Sequence, residues 1–338
     1  MYVLFFIFIN FVLILNYSSL KKIYKIKDFQ DSNRKFHKMP TPLLGGLIIY
    51  INFFLFFLIR LFDSSVINKF LFAEFSDYYL FFFIGSSFFL LGVIDDKYRI
   101  NPNIKFIIMG ILIFLGLFFD NKLTIQDLRF SFYSEIISLG IFSLFFSMLC
   151  FLLFINSLNM LDGINGQVGA YTIFIFIILL LNLQFTLLIF VFILSIIFFL
   201  YLNFENKSFL GDSGTLFLGY VISYIFIKSY NSNVINYAEE IFLVMSIPGY
   251  ELLRLALLRI YKKKHPFSSD RNHIHHIFIK KISFVKTFFL IQLILLLPYL
   301  LFLFSNKFFI SFIISLFCYI VSIIFFSKKN CYVFPKKK

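Results

Sequence analysis

The chain has 338 residues, 60% of them hydrophobic and only 14% charged, where soluble domains run near half and a quarter. That balance excludes a water-soluble globular protein, and no hydrophilic stretch exceeds roughly two dozen residues, so one membrane domain over 1–338 is expected. The net charge of +14 does not call for nucleic acid, because in a membrane protein Lys and Arg first mark one side of the bilayer.

In chain order, residues 1–19 form an apolar run without a basic lead-in or a small-residue cleavage site, which predicts a first spanning helix rather than a removed signal peptide. Further apolar runs cover 44–61, 78–94, 104–119, 135–155, 168–182, 184–203, 214–230, 238–260, 284–304 and 307–327. The expectation is an all-α polytopic protein of eleven spans, with the break at Asn182 the thinnest. The loops at Lys21, Asp95, Asn156, Asn203 and Lys262 and the basic tail 328–338 fall on one side and collect 25 Lys and Arg; the other side collects 6. By the positive-inside bias, the N-terminus is expected outside and those loops in the cytoplasm. Cys150, Cys318 and Cys331 have no metal-ligand spacing, and no disulfide is expected.

The unusual polar residues gather on that basic side. Asn156, Asn159 and Asp162 recur every third position at the end of a span, which puts them on roughly one helical face before Gly163 breaks it. As an isolated stretch these are also ordinary turn residues. Asp95 and Asp96 close another span, where adjacent carboxylates repel each other and oppose the helix dipole, so a cation or a function is required to explain them. Gly211-Asp212-Ser213-Gly214 opens a span and by itself reads equally well as a helix cap. His265, His273, His275 and His276 stand with Asp270 and Arg271 within twelve positions. Such a cluster could bind zinc, but no cysteine joins it and the cations around it oppose a second positive ion. Imidazoles and cations suit polyphosphate, and the carboxylates and amides suit a hard metal such as Mg²⁺, the combination used in phosphoryl transfer from a nucleotide.

Five ordered motifs resemble a known family. They are Arg34 to Gly46 (Arg-Lys-Phe-His-Lys-Met-Pro-Thr-Pro-Leu-Leu-Gly-Gly), Asp95-Asp96, Asn156-X-X-Asn159-X-X-Asp162-Gly-X-Asn165-Gly, Gly211-Asp212-Ser213-Gly214, and Pro266-Phe-X-X-Asp270-Arg271-X-His273-X-His275-His276. They look like those of the polyprenyl-phosphate N-acetylhexosamine-1-phosphate transferases, glycosyltransferase family 4, over about residues 30–280. The resemblance implies transfer of a sugar-1-phosphate, GlcNAc-1-phosphate first, from a UDP-amino sugar to undecaprenyl phosphate with release of UMP. It implies Mg²⁺, with Mn²⁺ as substitute, and a bacterial inner-membrane enzyme working at the cytoplasmic face. The ending His273-Ile-His-His resembles the branch that starts O-antigen, common antigen or teichoic-acid linkage, with the phospho-MurNAc-pentapeptide transferase as the alternative.

By the same resemblance, Asp212 and Asn159 hold the metal, Lys105 lies near the phosphates and Phe209 stacks on uracil. Asp95, Asp96, Asp162 and Asp212 form the catalytic set. Asn156, Asn165, Asp270, Arg271, His273, His275 and His276 bind substrate. Asn165 stands where the motif often has Asp, and Glu251 where relatives often have Asp, so Glu251 is given a supporting role. A multispan transporter is the non-enzyme alternative, but it should place its ionisable residues near the midplane, whereas these sit at span ends. The oligomeric state is open, a homodimer included.

Overall fold

The structure, a computed structural model, describes residues 2–28, 40–63, 71–72, 74–182, 187–264 and 272–327. Asp270, Arg271, His265, the motif residues 34–39 and the tail 328–338 lie outside the described residues.

Helices occur at all the expected runs: α1 Tyr2–Leu15, followed by the short α2 Tyr17–Tyr24, then α3 Gly45–Phe62, α4 Phe75–Tyr98, α5 Pro102–Phe119, α6 Ser143–Leu161, α7 Gln167–Asn182, α8 Leu187–Phe204, α9 Gly211–Asn231, α10 Ala238–Tyr261, the six-residue α11 Ile274–Ile279, α12 Phe284–Ser305 and α13 Phe308–Ser327. Among the described residues eight helices are long and apolar enough to cross a membrane, or nine if α1 and α2, bent by 71° at their junction, count as one span. The other two expected spans fall short for physical reasons. α7 has only 16 residues, below the roughly 20 that a hydrocarbon core requires. α9 has 21 residues but carries Asp212, Ser213 and Lys228, and every residue from Ser213 to Tyr230 is buried. It is the central post, enclosed by α3, α4, α6 and α7, and a helix wrapped by protein need not be lipophilic.

The all-α expectation needs a correction. Lys27–Asp28 (β1) pairs antiparallel with Thr41–Pro42 (β2), and Asp127–Phe130 (β3) with Tyr133–Ser138 (β4). The second pair corrects the span expected to begin at 135: Tyr133, Ile136 and Ile137 are aromatic or β-branched residues that favour a strand, and the helix starts only at Ser143, after Gly140 at φ +49°.

The abundant Phe forms the seam between α3, α4 and α9. Tyr50 stacks on Phe89 at 4.0 Å, Phe53 meets Phe217 edge-on at 5.0 Å, and Phe88 stacks on Tyr220 at 5.1 Å. Such pairs add about 0.5–1.5 kcal/mol each beyond the area they bury. Between lipid-facing helices, this packing replaces the hydrophobic drive that the bilayer removes.

Candidate active site

The polar motifs converge at one end of the bundle, where α4, α6, α8 and α10 finish and α5, α7 and α9 begin. Close backbone approach makes this possible. A Cβ on Gly92 of α4 would stand 2.3 Å from Ser213 Cα, and one on Gly46 of α3 would stand 2.5 Å from Gly214 N. Glycine is the residue that lets three helices meet at the Gly-Asp-Ser-Gly turn.

Asp96 accepts the Asp212 N–H at 2.8 Å and the Ser213 N–H at 3.1 Å, one on each carboxylate oxygen. The first turn of α9 is therefore capped by a carboxylate from α4, with the favourable sign for the helix dipole. Asp95 points elsewhere. It is buried, one oxygen accepts the Ile100 N–H at 2.7 Å, and the other accepts Lys105 Nζ at 2.6 Å. Lys105, at the start of α5, also donates to Asp212 Oδ2 at 3.1 Å, and Asn159 Nδ2 donates to Asp212 Oδ1 at 2.8 Å and to Thr215 Oγ1 at 3.1 Å. Asp95, Lys105, Asp212 and Asn159 are thus one connected set drawn from four helices.

Asp162 follows α6 directly, exposed at its side chain yet closely surrounded by protein. Burial, with the charges of Asp212 and Asp96, raises its carboxyl to about 7. Asn156 is turned inward, donating to Leu152 O. Asn165 is committed to structure: its amide donates at 2.8 Å to Asn203 O and to Asn206 Oδ1. Phe209 is half-buried, with its N–H on Pro42 O and its carbonyl accepting Gly45 N–H.

The described part of the histidine loop is anchored from below. Buried Glu251 accepts the Ile274 N–H at 2.8 Å, at the start of α11, and pairs with Arg254, whose guanidinium also donates to Asn272 O. Tyr319 of α13 donates to the same carboxylate. Glu251 thus anchors the start of α11, through a contact with Tyr319 that no local pattern announces. His275 is buried with its ring 4.3 Å from that of His276 and 5.3 Å from that of His273. Burial, then the two neighbouring imidazoles, holds its pKa well below the ordinary histidine value.

Two further residues escaped the sequence reading. Thr215 holds the Asn159 amide. Asn203 takes the Gly166 N–H on its Oδ1 at 2.6 Å and donates to Ser208 O at 2.7 Å, tying the α6–α7 loop to the entry of α9. Its one sequence signal is a lone amide at the close of an apolar run.

A hard divalent cation fits this donor set. Among the described residues no three of Asp, Glu, His or Cys stand close enough to hold a metal alone; the Asp212 carboxylate and the Asn159 amide are hard oxygen donors. The Asn159 amide orientation is set by its hydrogen bonds. Rotated by half a turn, its oxygen faces the Asp212 carboxylate, and the two oxygens would then hold a cation, with the Thr215 hydroxyl as donor to the amide oxygen.

The sequence profile of Glycosyl transferase family 4 matches residues 78–230. A Thermotoga maritima protein named undecaprenyl-phosphate alpha-N-acetylglucosaminyl 1-phosphate transferase is 28% identical over 304 residues, covering 89% of this chain and 90% of its own. A Bacillus subtilis protein named probable undecaprenyl-phosphate N-acetylglucosaminyl 1-phosphate transferase is 26% identical, covering 73% and 68%. The Escherichia coli K12 protein with the Thermotoga protein's name is 25% identical, covering 73% and 67%. The matched segment 78–230 carries Asp95, Asp96, Lys105, Asn159, Asp162 and Asp212 at the helix ends that build the site, and over that segment the chain is similar to glycosyl transferase family 4.

Proposed function

We propose that the protein transfers N-acetylglucosamine-1-phosphate from UDP-N-acetylglucosamine to undecaprenyl phosphate and releases UMP, as the first membrane step of a surface glycan. The observation that carries this reading is the connected set Asp95, Lys105, Asp212 and Asn159 at the mouth of α9. It joins one ammonium to carboxylates and an amide, the groups a diphosphate and a hard cation require. The names of the relatives carry undecaprenyl phosphate and N-acetylglucosaminyl 1-phosphate transfer, which supports this reading.

Asp212 and Asn159 would hold Mg²⁺, which when bound neutralises diphosphate charge. Lys105 releases Asp212 and turns to phosphate oxygen, remaining paired to Asp95. An oxygen of the lipid phosphate attacks the sugar-bearing phosphorus, the bond to the UMP oxygen breaks, and UMP leaves with that electron pair. A phosphomonoester has a second pKa near 6, so the acceptor is largely dianionic at neutral pH and needs little base catalysis. Asp95 is buried with both oxygens engaged, which favours direct attack over a covalent aspartyl-phosphate. Asp96 acts by holding the α9 turn. Asp162, His273, His275 and His276 line the donor side, and the motif resemblance adds Asp270 and Arg271 to donor binding.

The site faces the cytoplasm in this reading, with the N-terminus outside, because 25 of 31 Lys and Arg belong to that side. The test is purified protein with undecaprenyl phosphate, Mg²⁺ and a panel of UDP-sugars, followed by UMP release. Turnover with UDP-N-acetylglucosamine is expected; no UMP from any UDP-sugar overturns the proposal.

A further inference from the structure

α2 is a surface helix with two distinct sides. Tyr17, Leu20 and Tyr24 pack against Leu44, Ile48 and Leu202, while Lys21, Lys22, Lys25 and Lys27, with Tyr17 and Ser18, line an open cavity of about 770 Å³. Among the described residues no acidic side chain lines that cavity, and none of the four lysines is ion-paired to a described acid. Four like charges around one hollow repel one another, so the arrangement favours an anion of more than one charge.

The cavity's position says which kind of anion. α1 presents Leu4, Phe8, Phe11 and Leu15 outward, the surface of a lipid-facing helix, and the 71° bend turns α2 across its end. Ile23, 77% exposed, stands on α2 beside the lysines, the pairing of apolar and basic groups found where a helix lies in the headgroup layer. Behind the cavity the chain is stapled to the active site. Lys27 pairs with Pro42, Pro42 O accepts Phe209 N–H, and Gly45 and Gly46 N–H bond Phe209 O and Leu210 O. Residue 211 then opens the Gly-Asp-Ser-Gly turn. Tyr24, on the inner side of α2, reaches the neighbourhood of Asp96 and Ser213.

We infer that the cavity of Lys21, Lys22, Lys25 and Lys27 is a binding site for a lipid-borne phosphate, placed to take it from the headgroup layer toward the α9 turn. Only the choice of polyprenyl phosphate as one source rests on the proposed function; the cationic cavity and its place beside the bilayer do not. The shared chemistry has two sources, the acceptor's phosphomonoester and the phosphodiester of bulk anionic lipid.

Full-length protein in phosphatidylcholine nanodiscs, without nucleotide, is titrated with undecaprenyl phosphate, and in a second arm with phosphatidylglycerol. The K21Q/K22Q/K25Q/K27Q variant is compared with the same four positions changed to Arg, and with K262Q/K263Q/K264Q/K280Q, which removes equal charge elsewhere. Since each Lys near an anionic surface is worth about a factor of five, the Gln variant should bind at least tenfold more weakly. The Arg variant and the displaced-charge variant should stay within about threefold of wild type. Loss confined to the undecaprenyl phosphate arm assigns the cavity to the acceptor; loss confined to the phosphatidylglycerol arm assigns it to bulk lipid. Unchanged binding in both arms, with an unchanged melting temperature, overturns the inference, as does equal loss in the displaced-charge variant. Should the quadruple variant not fold, K21Q/K22Q is read on the same scale. Wild type that binds phosphate lipid yet releases no UMP would fail the proposed function and leave this site standing.

Discussion

Gly163 lies directly over the imidazole of His275: a Cβ on Gly163 would stand 2.0 Å from both Cε1 and Nε2 of that ring. Through this contact the α6–α7 loop carrying Asp162 rests on the histidine cluster, and the two motifs, more than a hundred residues apart in sequence, share one floor. His275 is buried and cannot swing away cheaply. Gly163→Ala should therefore destabilise by about 1–3 kcal/mol, the usual cost of overpacking, and lower turnover. Adding His275→Ala should restore much of the melting temperature but not the activity. Thermal melts of the two single variants and the double variant check this; additive losses would mean that the two residues do not meet.

Asp212→Asn and Asn159→Ala should each reduce UMP release at least a hundredfold, roughly the effect of removing one preorganised electrostatic contact, with little change in melting temperature. Raised Mg²⁺ should rescue Asn159→Ala partly, because the carboxylate remains. Near-normal activity in both variants would remove these residues from the metal site.

Asp96 should be separable from them. Its carboxylate caps two N–H groups of α9, so Asp96→Ala should cost about 1–2 kcal/mol of stability, read as a lowered melting temperature. An inactive variant with wild-type stability would return Asp96 to the chemistry.

Two groups set opposing pH dependences. His275 has a folded pKa well below its unfolded value of 6.5, so below pH 6.5 the unfolded chain binds the extra proton; stability is full above that point and is lost as pH falls. Asp162 is raised from 3.8 to about 7. Between those values the folded chain holds the proton, so this group stabilises at low pH and its contribution is lost as pH rises through about 7. In metal-free protein, His275→Gln should flatten the loss of stability between pH 6.5 and 5. Asp162→Asn should instead remove a decline as pH rises from about 4 to 7. Melting curves across pH 4–8 separate the two.

Sidedness has a direct test. In a background lacking Cys150, Cys318 and Cys331, cysteine at exposed Ser18 should react with an impermeant thiol reagent only after lysis. Cysteine at Ser131 in the β3–β4 hairpin should react in intact cells. The reverse pattern would invert the orientation.

The sequence by itself determined where the helices lie and which polar residues share an end of them. Long apolar runs in a bilayer must satisfy their own backbone hydrogen bonds and so become helices, and the intervals between runs assign each motif to a side. It also named the polar motifs that the fold then gathers at one end of the bundle. What it did not carry were the partners. That Asp95 meets Lys105 while adjacent Asp96 caps α9, that Asn165 is spent on Asn203 and Asn206, and that Tyr319 helps anchor the histidine loop were decided only by packing. The strand at 133–138 interrupts an apolar run because a hairpin partner at 127–130 satisfies its backbone, and α9 tolerates Asp212 and Lys228 because protein, not lipid, surrounds it. Hydrophobic period and span length are local properties that one stretch of chain expresses alone. Hydrogen-bond partners at sequence separations of 53 or 107 come into reach only when close glycine contacts bring α3, α4 and α9 together.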